Sequence, residues 1–293
     1  MNLSLFRKTI ATTAIRVKEP VDLYMCADCG HVHQLDVVDS KSLWENYTYY
    51  SGDAKGMPEH FNQVAAKIID EHKLPADALV IDIGSNDGSL LSPFKNAGYR
   101  VLGIDPAGGI ARMATESGIE TIPELMSLSL GENIRKERGE AHVVCMFNAF
   151  AHADNMGEIA ESLRAMLAPD GIVVFEAQYL LDIIARKLIA TIFHAHMSHH
   201  SVKALTIFFA RHGLELIDVE REPIQHGSLI GTVQLIGGKR KAKPSVQQFL
   251  DLEVQRGLDK IDTLKRFGEK IAQQRARTSK SVSTWKRDDR GRV

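Results

Sequence analysis

An open α/β sheet with parallel strands is the fold this sequence predicts, and three observations predict it. Apolar runs recur at residues 78–83, 101–104, 141–148 and 172–176, and each carries a polar or acidic residue at or beside its end. Helical patterns separate them, over residues 87–97, 107–117 and 155–167. The first run passes into a helix through an acidic, glycine-containing turn, Ile81-Asp82-Ile83-Gly84-Ser85-Asn86-Asp87-Gly88. Strands alternating with helices build a parallel sheet. Ligands of such sheets bind at the carboxyl ends of the strands, where Gly84, Asp105 and Asn148 all fall.

The composition is that of an ordinary soluble enzyme. Lys+Arg 36 against Asp+Glu 37 leaves a formal charge of −1, which argues against general binding to nucleic acid or a membrane surface. No apolar run approaches the roughly 20 residues of a membrane span. Arg7, Lys8 and Arg16 interrupt any signal-peptide core in residues 1–20. With Cys 3 and no export signal, the expected compartment is the cytoplasm, without disulfides. The chain divides into an N-terminal knuckle and lid segment (1–58), the sheet domain (59–237) and a helical extension with a basic tail (238–293).

In chain order, the first motif is Cys26-Ala27-Asp28-Cys29-Gly30-His31-Val32-His33. Two thiolates on a tight turn are half of a structural zinc site, which needs four ligands. Cys145 belongs to a core strand, so His31 or His33 would have to complete the set; a reduced, unligated knuckle is the alternative reading. Next, half of the six tyrosines fall in Tyr47-Thr48-Tyr49-Tyr50. Tyrosine offers a stacking face and a hydroxyl, so Tyr47 and Tyr50 suit a lid over a nucleotide or sugar; packing of one segment onto another is the plainer alternative.

The glycine turn carries the cofactor reading. A nicotinamide site prefers G-x-G-x-x-G. Here the glycines stand at i and i+4, and Asp82 sits inside the strand end, where it would repel a phosphate but suit a cationic, hydroxyl-rich ligand. That ligand is S-adenosylmethionine. Gly84, Ser85, Asn86 and Gly88 frame the turn, Asp105-Pro106 at the tip of the second strand offers a carboxylate to ribose hydroxyls, and Asn148 closes the third strand. These pieces in this order predict a class I, Rossmann-like methyltransferase sheet, with an NAD-dependent oxidoreductase disfavoured by the glycine spacing.

Past the Glu176 strand, Phe193-His194-Ala195-His196-Met197-Ser198-His199-His200 holds four of the twelve histidines. Histidine is suited to moving a proton near neutral pH. A general base is the first reading, a surface or core cluster the second, and a metal held by His196 and His200 at helical i, i+4 spacing a distant third.

Taken together, residues 20–236 resemble the sugar C-methyltransferases of deoxysugar biosynthesis, which act on nucleotide-linked keto-sugars. The resemblance rests on the CxxCG knuckle, Tyr47-x-Tyr49-x-Ser51-Gly52, Gly84-Ser85-Asn86-Asp87-Gly88, Asn148-x-x-x-His152, Glu176, the His194-x-His196 pair, the helix over 202–212 and Gly227-Ser228. It implies S-adenosylmethionine as donor and a sugar carbon next to a ketone as acceptor. His196 would be the base, with His194 and His152 in support, and Tyr47, Tyr50, Glu176 and Ser228 would line the substrate site. Phe193 and Ala195 stand where the family has tyrosine and glutamate, and Ile230 where it has arginine. The amino-terminal cysteine pair and the family's carboxy-terminal domain are expected to be missing. The alternatives are O-methyl transfer to another small molecule, which needs one base, and a non-catalytic homologue that binds cofactor or a partner protein.

Beyond residue 237, the basic turn 237–243 could meet a diphosphate, though a solvated hairpin tip is the preferred reading. Residues 244–279 show an amphipathic pattern that wants a partner surface, in an oligomer or another protein. Residues 280–293 are expected to be disordered.

Overall fold

The computed structural model describes residues 21–39, 43–44 and 47–285. The readings of residues 1–20 and of the tail from 286 lie outside the described residues. A short hairpin opens the chain, β1 (Leu23–Met25) against β2 (Val32–Gln34). The central sheet then assembles from β3 (Leu79–Ile83), β4 (Arg100–Ile104), β5 (Thr121–Ile122), β6 (Ala141–Phe147) and β7 (Leu167–Gln178), all parallel. A two-residue strand, β8 (Ser198–His199), pairs with β2 and ties the hairpin to the larger unit. Last come β9 (Leu214–Glu222) and β10 (Ser228–Leu235).

The sheet order is β5-β4-β3-β6-β7-β10-β9. β10 runs against both β7 and β9, so the sheet is mixed rather than wholly parallel. The cause is the connection: only a short turn around residues 223–227 separates β9 from β10, which permits a hairpin and forbids a crossover.

Alternate residues of the strands point to opposite faces. Val80, Val143, Cys145 and Val174 meet Phe61, Val64 and Ile68 of α1 (Met57–His72) and Phe94 of α2 (Leu91–Asn96). On the other face, Ile81, Val144, Val173 and Phe175 pack under α5 (Met156–Met166) and α7 (Val202–Arg211) through Leu163, Met166, Leu205 and Phe209. Both faces being covered is why these strands read as continuous apolar runs. α3 (Gly108–Glu116), α4 (Leu128–Arg138) and α6 (Leu180–Arg186) complete the layers. Asn155 and Ser201 cap α5 and α7 by accepting the N–H groups of Glu158 and Ala204. The helix expected from residue 87 begins at Leu91, because Asn86 and Gly88 take left-handed φ values of 50° and 79°.

The C-terminal part departs from expectation. α8 (Pro244–Gln255) lays Val246 and Phe249 on the chain's own core, and Leu258, Leu264 and Phe267 follow. Its Glu253 accepts from the Tyr179 hydroxyl at 3.0 Å and from the N–H groups of Val202 and Lys203 at 2.6 and 3.0 Å. The amphipathic face therefore finds its partner within the chain. α9 (Ile261–Trp285) is helical through residues 280–285, where disorder was expected. The basic turn 237–243 lies at the amino end of the parallel strands, away from the ligand-binding end, with Lys239 on Asp170 and Lys243 on Asp218. No helix among the described residues is long and apolar enough to cross a membrane.

Candidate functional site

The turn after β3 builds an acidic cradle. Gly84 has φ 76°, and a Cβ there would lie 2.7 Å from the Cβ of Ala149, so a side chain is excluded twice over. The N–H groups of Gly84 and Ser85 both reach the carbonyl of Ile104, which draws the turn onto the end of β4. Asp105 accepts the N–H of Asn86 and of Ala107 at 2.9 Å each, one on each oxygen, and keeps lone pairs for further donors. Pro106, half-buried, follows it into the loop before α3.

Two buried oxygens of the cradle, Asp82 Oδ1 and Ser85 Oγ, have no hydrogen-bond partner. Burial, with Asp105 nearby, pushes the Asp82 carboxyl up to about 8. Burial likewise raises Asp105, against the pull of its two backbone donors and with Asp87 adding to the rise. Two acids whose charged forms burial disfavours, and which keep spare acceptor capacity, are both eased by a ligand carrying positive charge and hydroxyl donors. S-adenosylmethionine carries both, and these residues fit it.

The aromatic segment closes over this cradle. The Asn86 side chain donates to Tyr49 O at 2.8 Å and accepts from Ser51 N at 2.9 Å, and Asp87 takes the N–H of Gly52. Asn86 thus spends its amide on the lid backbone. Tyr47 lies with its ring 5.2 Å from Trp44 and 6.2 Å from Tyr49; burial, then Tyr49 and Asp105, push its phenol up to about 12. The Tyr50 hydroxyl points to the sulfur of Met113 on α3 at 3.6 Å. Trp44, which the sequence reading did not single out, also meets His152 edge-on at 4.8 Å. Lid and histidines therefore share one cluster.

His152 and His196 stand together, ring centres 4.8 Å apart. Each has its tautomer set by a carbonyl, which can only accept. His152 Nδ1 lies 2.5 Å from Ala195 O, and His196 Nδ1 lies 2.7 Å from Thr191 O, so both carry the proton on Nδ1 and the lone pair on Nε2. Burial, with His152 beside it, pushes His196 down to about 3, and burial also lowers His152. Phe193 packs on His196 at 4.2 Å. Ala149, which touches Gly84, accepts the His152 N–H at 2.9 Å, so cradle and histidines are mechanically continuous. His194 is half-buried in the same segment.

Other predicted positions fall elsewhere. Glu176 is fully buried at the end of β7 and engaged by His60, whose Nε2 lies 2.5 Å from its Oε2. Asn148, with φ 55°, donates its N–H to Glu176 O at 2.8 Å and its amide to Glu176 Oε1 at 3.4 Å. Ser228 is fully buried in β10, its hydroxyl toward Ile224 O. As placed, Glu176 and Ser228 are interior, at the ligand-binding end of β7 and the start of the neighbouring β10. His60 had a legible signal: it occupies the apolar stripe of α1 at i, i+4, i+8 with Val64 and Ile68.

Cys26 and Cys29 form the expected tight turn, with Gly30 N on Cys26 O and Cys26 N on His31 O. Backbone donors of Cys29 and Asp28 hold the Cys26 thiol below its ordinary value, while burial raises Cys29. Among the described residues no group of three or more His, Cys, Asp or Glu is arranged for a metal, so neither His31 nor His33 completes a zinc set. The described residues do not fit that ion, because His31, just before β2, turns toward Ser198 Oγ at 3.2 Å instead. His196 and His200 are not on a helix; His200 stacks on Phe150 at 5.1 Å in the core, which removes the i, i+4 metal reading.

The sheet order, the acidic glycine turn and the carboxylate ending β4 together define a class I, Rossmann-like S-adenosylmethionine-dependent methyltransferase fold. A methyltransferase-domain model matches residues 57–219, and the chain belongs to that family of enzymes. The C-methyltransferase NovU of Streptomyces niveus is 30% identical over 263 residues, covering 90% of this chain and 63% of that protein, so the chain spans less than two thirds of its length. An S-adenosylmethionine-dependent methyltransferase from Anabaena variabilis shares the fold at TM-score 0.51 and 15% identity, over 68% of this chain and 96% of that one. Magnesium protoporphyrin IX methyltransferase from Synechocystis PCC 6803 does so at 0.50 and 14%, over 69% and 100%.

Proposed function

We propose that the chain is an S-adenosylmethionine-dependent methyltransferase acting on a carbon next to the ketone of a nucleotide-linked deoxysugar, with His196 as base. The observation that carries this reading is the His196 imidazole. It is half-buried, Nδ1-protonated by its bond to Thr191, and joined through His152 and Ala149 to the acidic cradle. The cradle of Asp82, Ser85 and Asp105 is the proposed cofactor site, and bound S-adenosylmethionine supplies an electrophilic methyl group. The 30% identical C-methyltransferase supports transfer to carbon.

His196 Nε2 takes the proton of the C–H beside the carbonyl. Burial disfavours an isolated imidazolium, but here the enolate forms beside it, so each new charge offsets the other's desolvation. His152, also neutral with its Nε2 lone pair, can take part in passing the proton on. Trp44, Tyr47 and Tyr50 form the lid that excludes water while the enolate exists. Phe193 against His196 gives an apolar wall, and Ala195 next to it offers no carboxylate. That difference favours, as a second reading, O-methyl transfer, in which one base suffices.

The test is His196→Ala. Turnover on keto-sugar nucleotides should fall by about 10²–10⁴, with S-adenosylhomocysteine affinity by calorimetry unchanged. Unaltered turnover would remove His196 as base. Methyl transfer to hydroxyl acceptors alone would select the second reading.

A further inference from the structure

We infer that Gln34 is a positioning residue for His196, which makes the N-terminal hairpin a working part of the histidine site; the inference rests on the reading of His196 as base. Gln34 is 2% exposed at the end of β2. Its side-chain amide donates to two carbonyls, Phe193 O at 2.9 Å and His196 O at 2.8 Å. Its backbone N–H takes a third, Met197 O, at 2.9 Å. One residue thereby orients three carbonyls along the stretch that carries the proposed base.

That stretch lacks helix or strand structure of its own before β8, so its buried polar groups depend on outside partners. Within it, the His196 N–H reaches Phe193 O and closes a turn. The Nδ1 bond to Thr191 that leaves Nε2 with the lone pair holds only while the turn keeps this shape. Fastening the hairpin does not require the amide, because Val32 pairs with His199 and His33 with Ser198. Gln34 Oε1 is buried without a partner. A methionine of similar length would fill the space without that penalty, so the amide's use lies in its two donors.

Gln34→Met and Gln34→Glu test the inference, the first keeping shape without donors, the second setting a carboxylate against two carbonyls. S-adenosylhomocysteine affinity, the ¹⁵N imidazole spectrum of His196, and solvent-deuterium incorporation beside the ketone of a thymidine diphosphate-linked 4-keto-6-deoxyhexose are measured on each. The expected result is wild-type cofactor affinity and near wild-type KM, with kcat for exchange down about 10–100-fold and His196 a mixture of tautomers. A Gln34→Met protein with lowered melting temperature but wild-type kcat and an unmixed Nδ1–H tautomer would make Gln34 a mere fastening and overturn the inference. Should Gln34→Glu fail to fold, Gln34→Met alone carries these outcomes. If the wild-type chain neither binds S-adenosylhomocysteine nor exchanges deuterium, the functional reading fails, and the imidazole comparison still decides whether Gln34 positions His196.

Discussion

Removing His60 from its contact with Glu176 should be among the most damaging single changes to the stability of this chain. Glu176 is 0% and His60 8% exposed, and His60 Nε2 lies 2.5 Å from Glu176 Oε2. Burial works against the imidazolium, but the hydrogen bond and charge of Glu176, with Glu222 nearby, outweigh it and hold His60 above its ordinary value. His60→Leu leaves the Glu176 carboxylate buried and without its cation, a loss of about 3–5 kcal/mol near neutral pH. For a domain of this size that is roughly 6–20 °C in melting temperature. Glu176→Gln removes the buried charge while keeping an acceptor, and should cost about 1.5–3 kcal/mol, the worth of a charged hydrogen bond. A histidine raised above its unfolded value stabilises fully below about 6.5 and loses that contribution as pH rises through the folded value. The gap between wild type and Glu176→Gln should therefore be wider at pH 6 than at pH 9. Urea unfolding followed by circular dichroism at both pH values measures all of this. A His60→Leu protein within about 1 kcal/mol of wild type, or a gap that widens with pH, would refute the reasoning.

Asp105→Ala should weaken S-adenosylhomocysteine binding about 10–100-fold, the loss of a charged acceptor; unchanged affinity in calorimetry would sink the cofactor role of Asp105. Acid should destabilise the fold through its buried histidines. Burial holds His196 at about 3 and His199 at about 4, below the unfolded value, so the unfolded chain binds protons first. Stability present above about 6.5 is then lost toward pH 4, at about 1.4 kcal/mol per unit per histidine, and a melting temperature flat between pH 7 and 5 would contradict it. Glu253→Ala strands the Tyr179 hydroxyl and the first N–H groups of α7. A loss of about 2–4 kcal/mol in urea unfolding is expected, with cofactor affinity unchanged; no loss would mean that α8 is held by its apolar contacts alone.

The candidate site was legible where unusual residues fall into short, continuous stretches. Asp82 within an apolar run, glycines at i and i+4, and Asp105 ending the next strand are visible because strand ends and turns are local. Sheet contacts only bring them nearer. The cluster of His194, His196, His199 and His200 was visible as a cluster, but its members part company in space: His196 joins His152, whereas His200 stacks under Phe150. Glu176 stood out as a polar strand end, but its buried partner His60, 116 residues away, did not. No sequence pattern links two residues so far apart when each sits in its own apolar stripe.

By itself the sequence determined the alternating strands and helices and the cradle turn, since periodicity, capping and glycine geometry act within a few residues. Tertiary structure decided the rest. It reversed β10, folded α8 back onto the core, and left Cys26 and Cys29 without further metal ligands among the described residues. It also brought Gln34 to the carbonyls of Phe193 and His196. These outcomes depend on which distant surfaces exclude water against one another and which buried polar atoms find a partner there, and both are properties of the packed chain.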